Sequence, residues 1–257
     1  MKSIQVLEMP SDNYSEMTLD GLIHELVRIS PEWDRQAADA KADVDDASRL
    51  HQIAMHMVDR LLWKPGHLVF IPSVTQCKEA ELRIDQVWRD EIQHDEELWQ
   101  KVLYGVEIDD VGYHGVGSDI AFVYAERLRR WKPIVISVNP PTEIRRYFEE
   151  SVAAWLRGLD CAAIILCWAV VETLMKKALL RIDGALVFDR HDGRECNAAR
   201  LINNARAAEL LSPQEAEAAH HVRELRNNAV HQLQDVDAGS SFRGIIETKQ
   251  LVERLLT

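Results

Sequence analysis

From residue 142 onward, apolar residues recur at intervals of three and four, the period of a helix with one buried face. Ile144 to Leu156 reads as one helix, and Leu159 to Arg181 as a second, longer and more apolar one. Gly158 breaks the run between them. Asp183-Gly184 is a turn signal, and residues 185–196 form an irregular connector. Ala198 to Leu210 makes a third helix. Ser212-Pro213-Gln214-Glu215 opens a fourth, with Ser212 as cap, Pro213 in the first helical position and Glu215 placed to reach back as in a capping box. That helix runs to about Leu233. Gly239-Ser240-Ser241 reads as a turn, and Ile245 to Leu256 as a fifth helix. Four to five helices with short links predict a helical bundle.

Before residue 140 the pattern is mixed. Leu19, Leu22, Ile23, Leu26 and Val27 recur at helical spacing, and Ser30-Pro31-Glu32 starts another helix that runs toward Trp63. His67 to Val74 reads as a short strand, placed at a sheet edge by Pro72. Glu79 to Lys101 is helical, Val102 to Val106 strand-like, Gly112 to Gly117 a loop and Ile120 to Trp131 helical. Ile134 to Val138 is a further strand-like run. Asn139-Pro140-Pro141 then ends it, because Pro-Pro continues neither a ladder nor a helix interior. The fold expected is mainly α: an α-rich α+β region over residues 1–139, then a helical domain over 140–257, with Thr142 as the cap of its first helix.

Composition sharpens this picture. Of 257 residues, 47% are hydrophobic, enough to fill a core. The most apolar stretch, Cys161 to Val171, is too short to span a bilayer, and Glu8, Asp12 and Glu16 interrupt any leader-like pattern. A cytoplasmic protein without a membrane segment is expected. Four cysteines lack zinc-ligand spacing, and Cys161 and Cys167 read as small core residues. The formal net charge is −12. Residues 141–257 hold 15 basic against 17 acidic residues, a net of −2; residues 1–140 hold 15 against 25, a net of −10. An acidic first half argues against salt-driven coating of nucleic acid, but leaves room for a local basic site in the second.

The most specific chemical signal is Arg226-Asn227-Asn228-Ala229-Val230-His231 in the fourth helix. At roughly 100° per residue, Val222, Leu225, Ala229 and Leu233 form a core stripe. His231 then lies roughly 180° from Val222, Asn227 roughly 140° and Arg226 roughly 40°. On an ideal helix Arg226 and His231 do not share a face. They converge if the helix is distorted, if Arg226 reaches around it, or if two subunits each supply half a site. Together these groups can cleave RNA without a metal. A neutral imidazole takes the 2′-hydroxyl proton, and a guanidinium holds the charge growing on the phosphate oxygens. Asparagine orients either partner. The bland reading of the same residues is a solvated His231 and an Arg226 paired with Glu224 or Glu172.

These residues also carry a resemblance. The opening helix Pro141-Thr142-Glu143-Ile144-Arg145-Arg146-Tyr147-Phe148-Glu149-Glu150, the run Ala162-Ala163-Ile164-Ile165 leading to Val171-Glu172, and the stretch Val222 to His231 resemble the HEPN superfamily, most closely its DUF4145-type branch. Arg226 and His231 satisfy the Arg-x4–6-His pattern, with Asn227 directly after the arginine. The resemblance covers about residues 141–257. It implies a homodimer whose two Arg–His motifs face one cleft, and a metal-independent endoribonuclease of toxin–antitoxin, phage-defence or stress systems. It further implies an RNA substrate, an antitoxin or activating protein partner and no cofactor. By motif position His231 is the base or proton shuttle, Arg226 the phosphate clamp, Asn227 its helper and Glu172 the acid that holds Arg226. Some relatives are non-catalytic dimerisation or partner-binding modules, which is the alternative reading.

Other candidates carry less. His51 and His56 diverge on a helix, so a metal site with Asp59 is not expected. Gly112 to Gly117 lacks a P-loop lysine, and His191-Asp192-Gly193 has no partner at useful spacing. Trp155 and Trp168 belong to the core or to a dimer interface.

Overall fold

A computed structural model describes residues 77–97, 134–189, 193–232 and 234–257, with residues 17, 21–22, 25–26, 52–53, 56, 69–70, 99–100, 123 and 126–129. The protein is mainly helical, and its second half is a helical bundle. In chain order the elements are β1 (Val69–Phe70), α1 (Cys77–Val87) continued by a π-helical turn (Trp88–Ile92), and β2 (Ile134–Val135). Then come α2 (Thr142–Leu156), α3 (Asp160–Ile182), a short 3-10 turn (Gly184–Leu186), α4 (Ala198–Ala207), α5 (Pro213–His231) and α6 (Ala238–Leu256).

The ends of these helices follow local chemistry. Gly158 takes φ +81 after α2, and the amides of Gly158 and Leu159 donate to the carbonyls of Trp155 and Ala154, both at 2.9 Å. This double closure satisfies carbonyls at the end of α2 and turns the chain into α3. Glu209 plays the same part after α4 with φ 59, its amide and that of Leu210 reaching the carbonyls of Arg206 and Ala205. The capping box of α5 is complete: Ser212 Oγ accepts from the Glu215 amide at 3.2 Å, and the Ser212 amide donates to Glu215 Oε2 at 2.6 Å. Two expectations are corrected. Pro141, not Thr142, is the cap of α2. Gly239-Ser240-Ser241 is the first turn of α6 rather than a separate turn, because Asp237 Oδ1 accepts from the amides of Gly239 and Ser240 and starts the helix there.

α2, α5 and α6 all pack on α3. Gly244 makes the α3–α6 approach possible: a Cβ there would stand 2.5 Å from Ile164 Cδ1. Phe148, Val152, Val171, Met175, Leu201, Val222 and Leu251 are buried between the helices. Trp155 and Trp168 are core residues, each 4% exposed. Cys167 is fully buried beside Ser151 and Thr248, and burial pushes its thiol up to about 11. Cys161 is only half-buried, so the core assignment holds for Cys167 alone of the pair.

The first half of the chain joins the same core. Leu22, Leu26 and Ile53 are buried helical residues in one hydrophobic cluster with Leu251 and Leu255. β1 and β2 pair in parallel, Val69 with Ile134 and Phe70 with Val135. Lys249 on α6 reaches Glu81 on α1 at 2.5 Å, and Glu253 accepts from the amide and hydroxyl of Ser137. The Ser30-Pro31 helix start, His51, Asp59, Val102 to Val106, Gly112 to Gly117 and His191-Asp192 lie outside the described residues.

Candidate functional site

The burial of α5 changes along its length. Ala216, Ala219 and Val222 are buried, but Leu225 and Ala229, expected to continue the core stripe, are only half-buried. The helix therefore packs firmly through its first three turns and leaves its last two open on the polar side. Arg226, Asn227 and Asn228 are half-buried there, and His231, the last residue of α5, is exposed.

Arg226 closes the angular gap by reaching around the helix. Its Nη1 lies 3.1 Å from Asn227 Oδ1 and 3.0 Å from His231 Nε2, within a single chain and an undistorted α-helix. One nitrogen with two hydrogens serves both acceptors. A guanidinium only donates, so the histidine contact requires a lone pair on Nε2. The imidazole in this arrangement is the neutral form with its proton on Nδ1. A group that draws Arg226 away, such as a phosphate, frees that lone pair at the place where the guanidinium has moved. Guanidinium, amide and imidazole thus form one continuous hydrogen-bonded set at the open end of α5.

Glu172 stands elsewhere in the network. It pairs with Lys176 one turn along α3, at 2.9 Å, and Lys176 also holds Glu195 at 2.6 Å. The carboxylate is turned toward Lys176 rather than toward Arg226. Glu224 likewise contacts Arg223, at 3.4 Å, so neither acid of the bland reading pairs with Arg226.

A second imidazole on α5 escaped sequence reasoning. His221 Nδ1 lies 2.5 Å from Glu247 Oε2 on α6, and Arg243 Nε holds the other carboxylate oxygen at 2.8 Å. Glu247 is 8% exposed, so two donors compensate its burial. The partners are 26 positions apart, and only the packing of α5 on α6 brings them together. His220, on the polar side, has its pKa lowered by burial and by the neighbouring Arg223, with Glu224 opposing.

Among the described residues no group of three or more His, Cys, Asp or Glu has metal-site geometry, and no helix is long and apolar enough to cross a membrane. Compared with known proteins, the chain matches no family model, no curated protein and no solved structure.

Proposed function

We propose that the protein is a metal-independent endoribonuclease of HEPN type, acting as a homodimer in toxin–antitoxin, phage-defence or stress responses. The observation that carries this reading is the hydrogen-bonded Arg226–Asn227–His231 set at the open end of α5. RNA supplies both nucleophile and electrophile. The 2′-oxygen attacks the adjacent phosphorus while His231 Nε2 takes its proton. Arg226 leaves the imidazole to grip the non-bridging oxygens, and Asn227 keeps the guanidinium aligned. A 2′,3′-cyclic phosphate forms, the bond to the 5′-oxygen breaks, and the imidazolium of His231 returns the proton it took to that oxygen.

The acidic residues 1–139 act in this reading as an α-rich α+β regulatory domain that restrains the helical domain or answers to an antitoxin or activating partner. The Lys249–Glu81 and Ser137–Glu253 contacts support such a restraint. Free thiols at Cys161, Cys167 and Cys196 fit a reducing, cytoplasmic setting.

The test is cleavage of tRNA or mRNA in EDTA by the wild type, His231→Ala and Arg226→Ala. Loss of cleavage in both variants supports the site, and unchanged cleavage in both discards it. Toxicity on expression, relieved by either substitution, is a second readout. The near-neutral charge of residues 141–257 favours a competing reading, a non-catalytic dimerisation or partner-binding module. In that case the wild type leaves RNA intact.

A further inference from the structure

A second guanidinium stands one turn before Arg226 on α5. Arg223 precedes Arg226 by three positions and Asn227 by four, so the three side chains are neighbours on the helix surface. His220, a turn earlier again, has its pKa lowered first by burial and then by Arg223. The field of that cation therefore falls on the polar side of the helix.

Most donors of the two arginines are unused. Arg223 Nη2 reaches Glu224 at only 3.4 Å, and that carboxylate is 65% exposed. A pair so open to water does little to offset the burial of the cation. Arg223 Nε is buried and has no hydrogen-bond partner among the described residues. Arg226 engages the neutral Asn227 and His231 through Nη1 alone. Like charges one turn apart repel, and an unsatisfied buried N–H costs free energy. Both costs stand beside the proposed cleavage site. An anion with oxygens for both guanidinia removes the first, and by drawing Arg223 outward it gives Nε–H an acceptor as well. Each phosphodiester carries a single negative charge, so two guanidinia match two linkages rather than one.

We propose that Arg223 binds the phosphate adjoining the scissile one, so that the site takes two consecutive phosphates of an RNA strand. This rests on the ribonuclease reading, in which Arg226 grips the scissile phosphate. The binding test uses the full chain and a short single-stranded RNA with 2′-fluoro in place of every 2′-hydroxyl, which cannot be cut by its own hydroxyl. Fluorescence anisotropy follows Kd against salt. Arg223→Ala raises Kd about tenfold at about 0.1 M salt and lowers the slope of log K against log salt by about 0.7, the share of one phosphate on a single strand. Arg223→Lys keeps the slope, because it keeps the charge. In cleavage of the unmodified RNA, Arg223→Ala raises KM about tenfold and leaves kcat within about twofold. A neutral methylphosphonate at one of the two linkages beside the mapped cut raises KM for the wild type about tenfold and for Arg223→Ala not at all. Arg223→Gln keeps the stem and stands in if Arg223→Ala does not fold. A folded variant with wild-type slope and KM overturns the role of Arg223 while cleavage by the wild type survives. Binding without cutting by the wild type discards the ribonuclease reading, and with it a scissile neighbour for Arg223, even where the slope falls. No binding by the wild type overturns both.

Discussion

Arg226 places Nη1 3.0 Å from Nε2 of His231, five residues further along the same helix. Side chains at that spacing start roughly 140° apart. The long guanidinium stem covers the difference because the last turns of α5 are open, and no acid on α3 claims the charge. The contact fixes the direction of the hydrogen bond, and with it the tautomer of the ring.

On the proposed ribonuclease reading, removing either group should lower turnover strongly without unfolding the chain. His231→Ala is expected to lower kcat by about 10²–10⁴-fold, the usual worth of a positioned base. Arg226→Ala is expected to cost about 10²–10³-fold, and Arg226→Lys to recover only part of it, because an ammonium lacks the planar fork. Single-turnover cleavage of a defined RNA measures all three, and equal rates in wild type and variants would refute the assignment.

Glu209 holds a left-handed backbone conformation that a side chain disfavours. Its carbonyl also accepts from Arg254 Nη2 at 3.3 Å, a bond that glycine retains. Glu209→Gly should stabilise the protein by about 1 kcal/mol and raise Tm by roughly 2–4 °C. Thermal unfolding checks this, and a fall in Tm would contradict the strain argument.

Cys167 should resist thiol reagents in the folded protein. Raising a thiol from 9.0 to about 11 cuts its thiolate fraction about 100-fold at neutral pH, before the steric barrier of full burial is counted. Half-buried Cys161 should label first under native conditions. Mass spectrometry of peptides after a timed pulse distinguishes the two sites. Comparable labelling would mean that the core opens at Cys167.

His220 titrates below its ordinary 6.5 because of burial and Arg223. The unfolded chain then binds the proton more readily than the folded one. Stability should therefore decline as pH falls from about 6.5 through the lowered value, and be unaffected by this group above it. His220→Gln should flatten that part of the profile. Urea midpoints between pH 5 and 8 give the comparison, and an identical slope in the variant would remove His220 as the cause.

Several features were legible from residue order alone. Ser212 and Glu215 close their box within four positions, and Gly158 ends α2 through amides and carbonyls five residues away or fewer. The third helix was placed within three residues of its observed end. Gly239 to Ser241 misled because glycine and serine suit a turn and a first helical turn equally. Asp237 decides between them, because its carboxylate accepts from the Gly239 and Ser240 amides. The Arg–Asn–His grouping was also visible, yet a regular wheel kept Arg226 and His231 on different faces.

What residue order determined by itself is the helical second half, its caps and the identity of the polar groups near the end of α5. These depend on backbone hydrogen bonds and side-chain period, which act over a few residues. The tertiary structure decided where the core stripe of α5 stops and that Glu172 serves Lys176. It also brought His221 to Glu247 and Arg127 to Asp160 across 26 and 33 positions. Those outcomes depend on which helix faces which, and that is set by packing volume over the whole core, Gly244 against Ile164 among it, rather than by any local pattern.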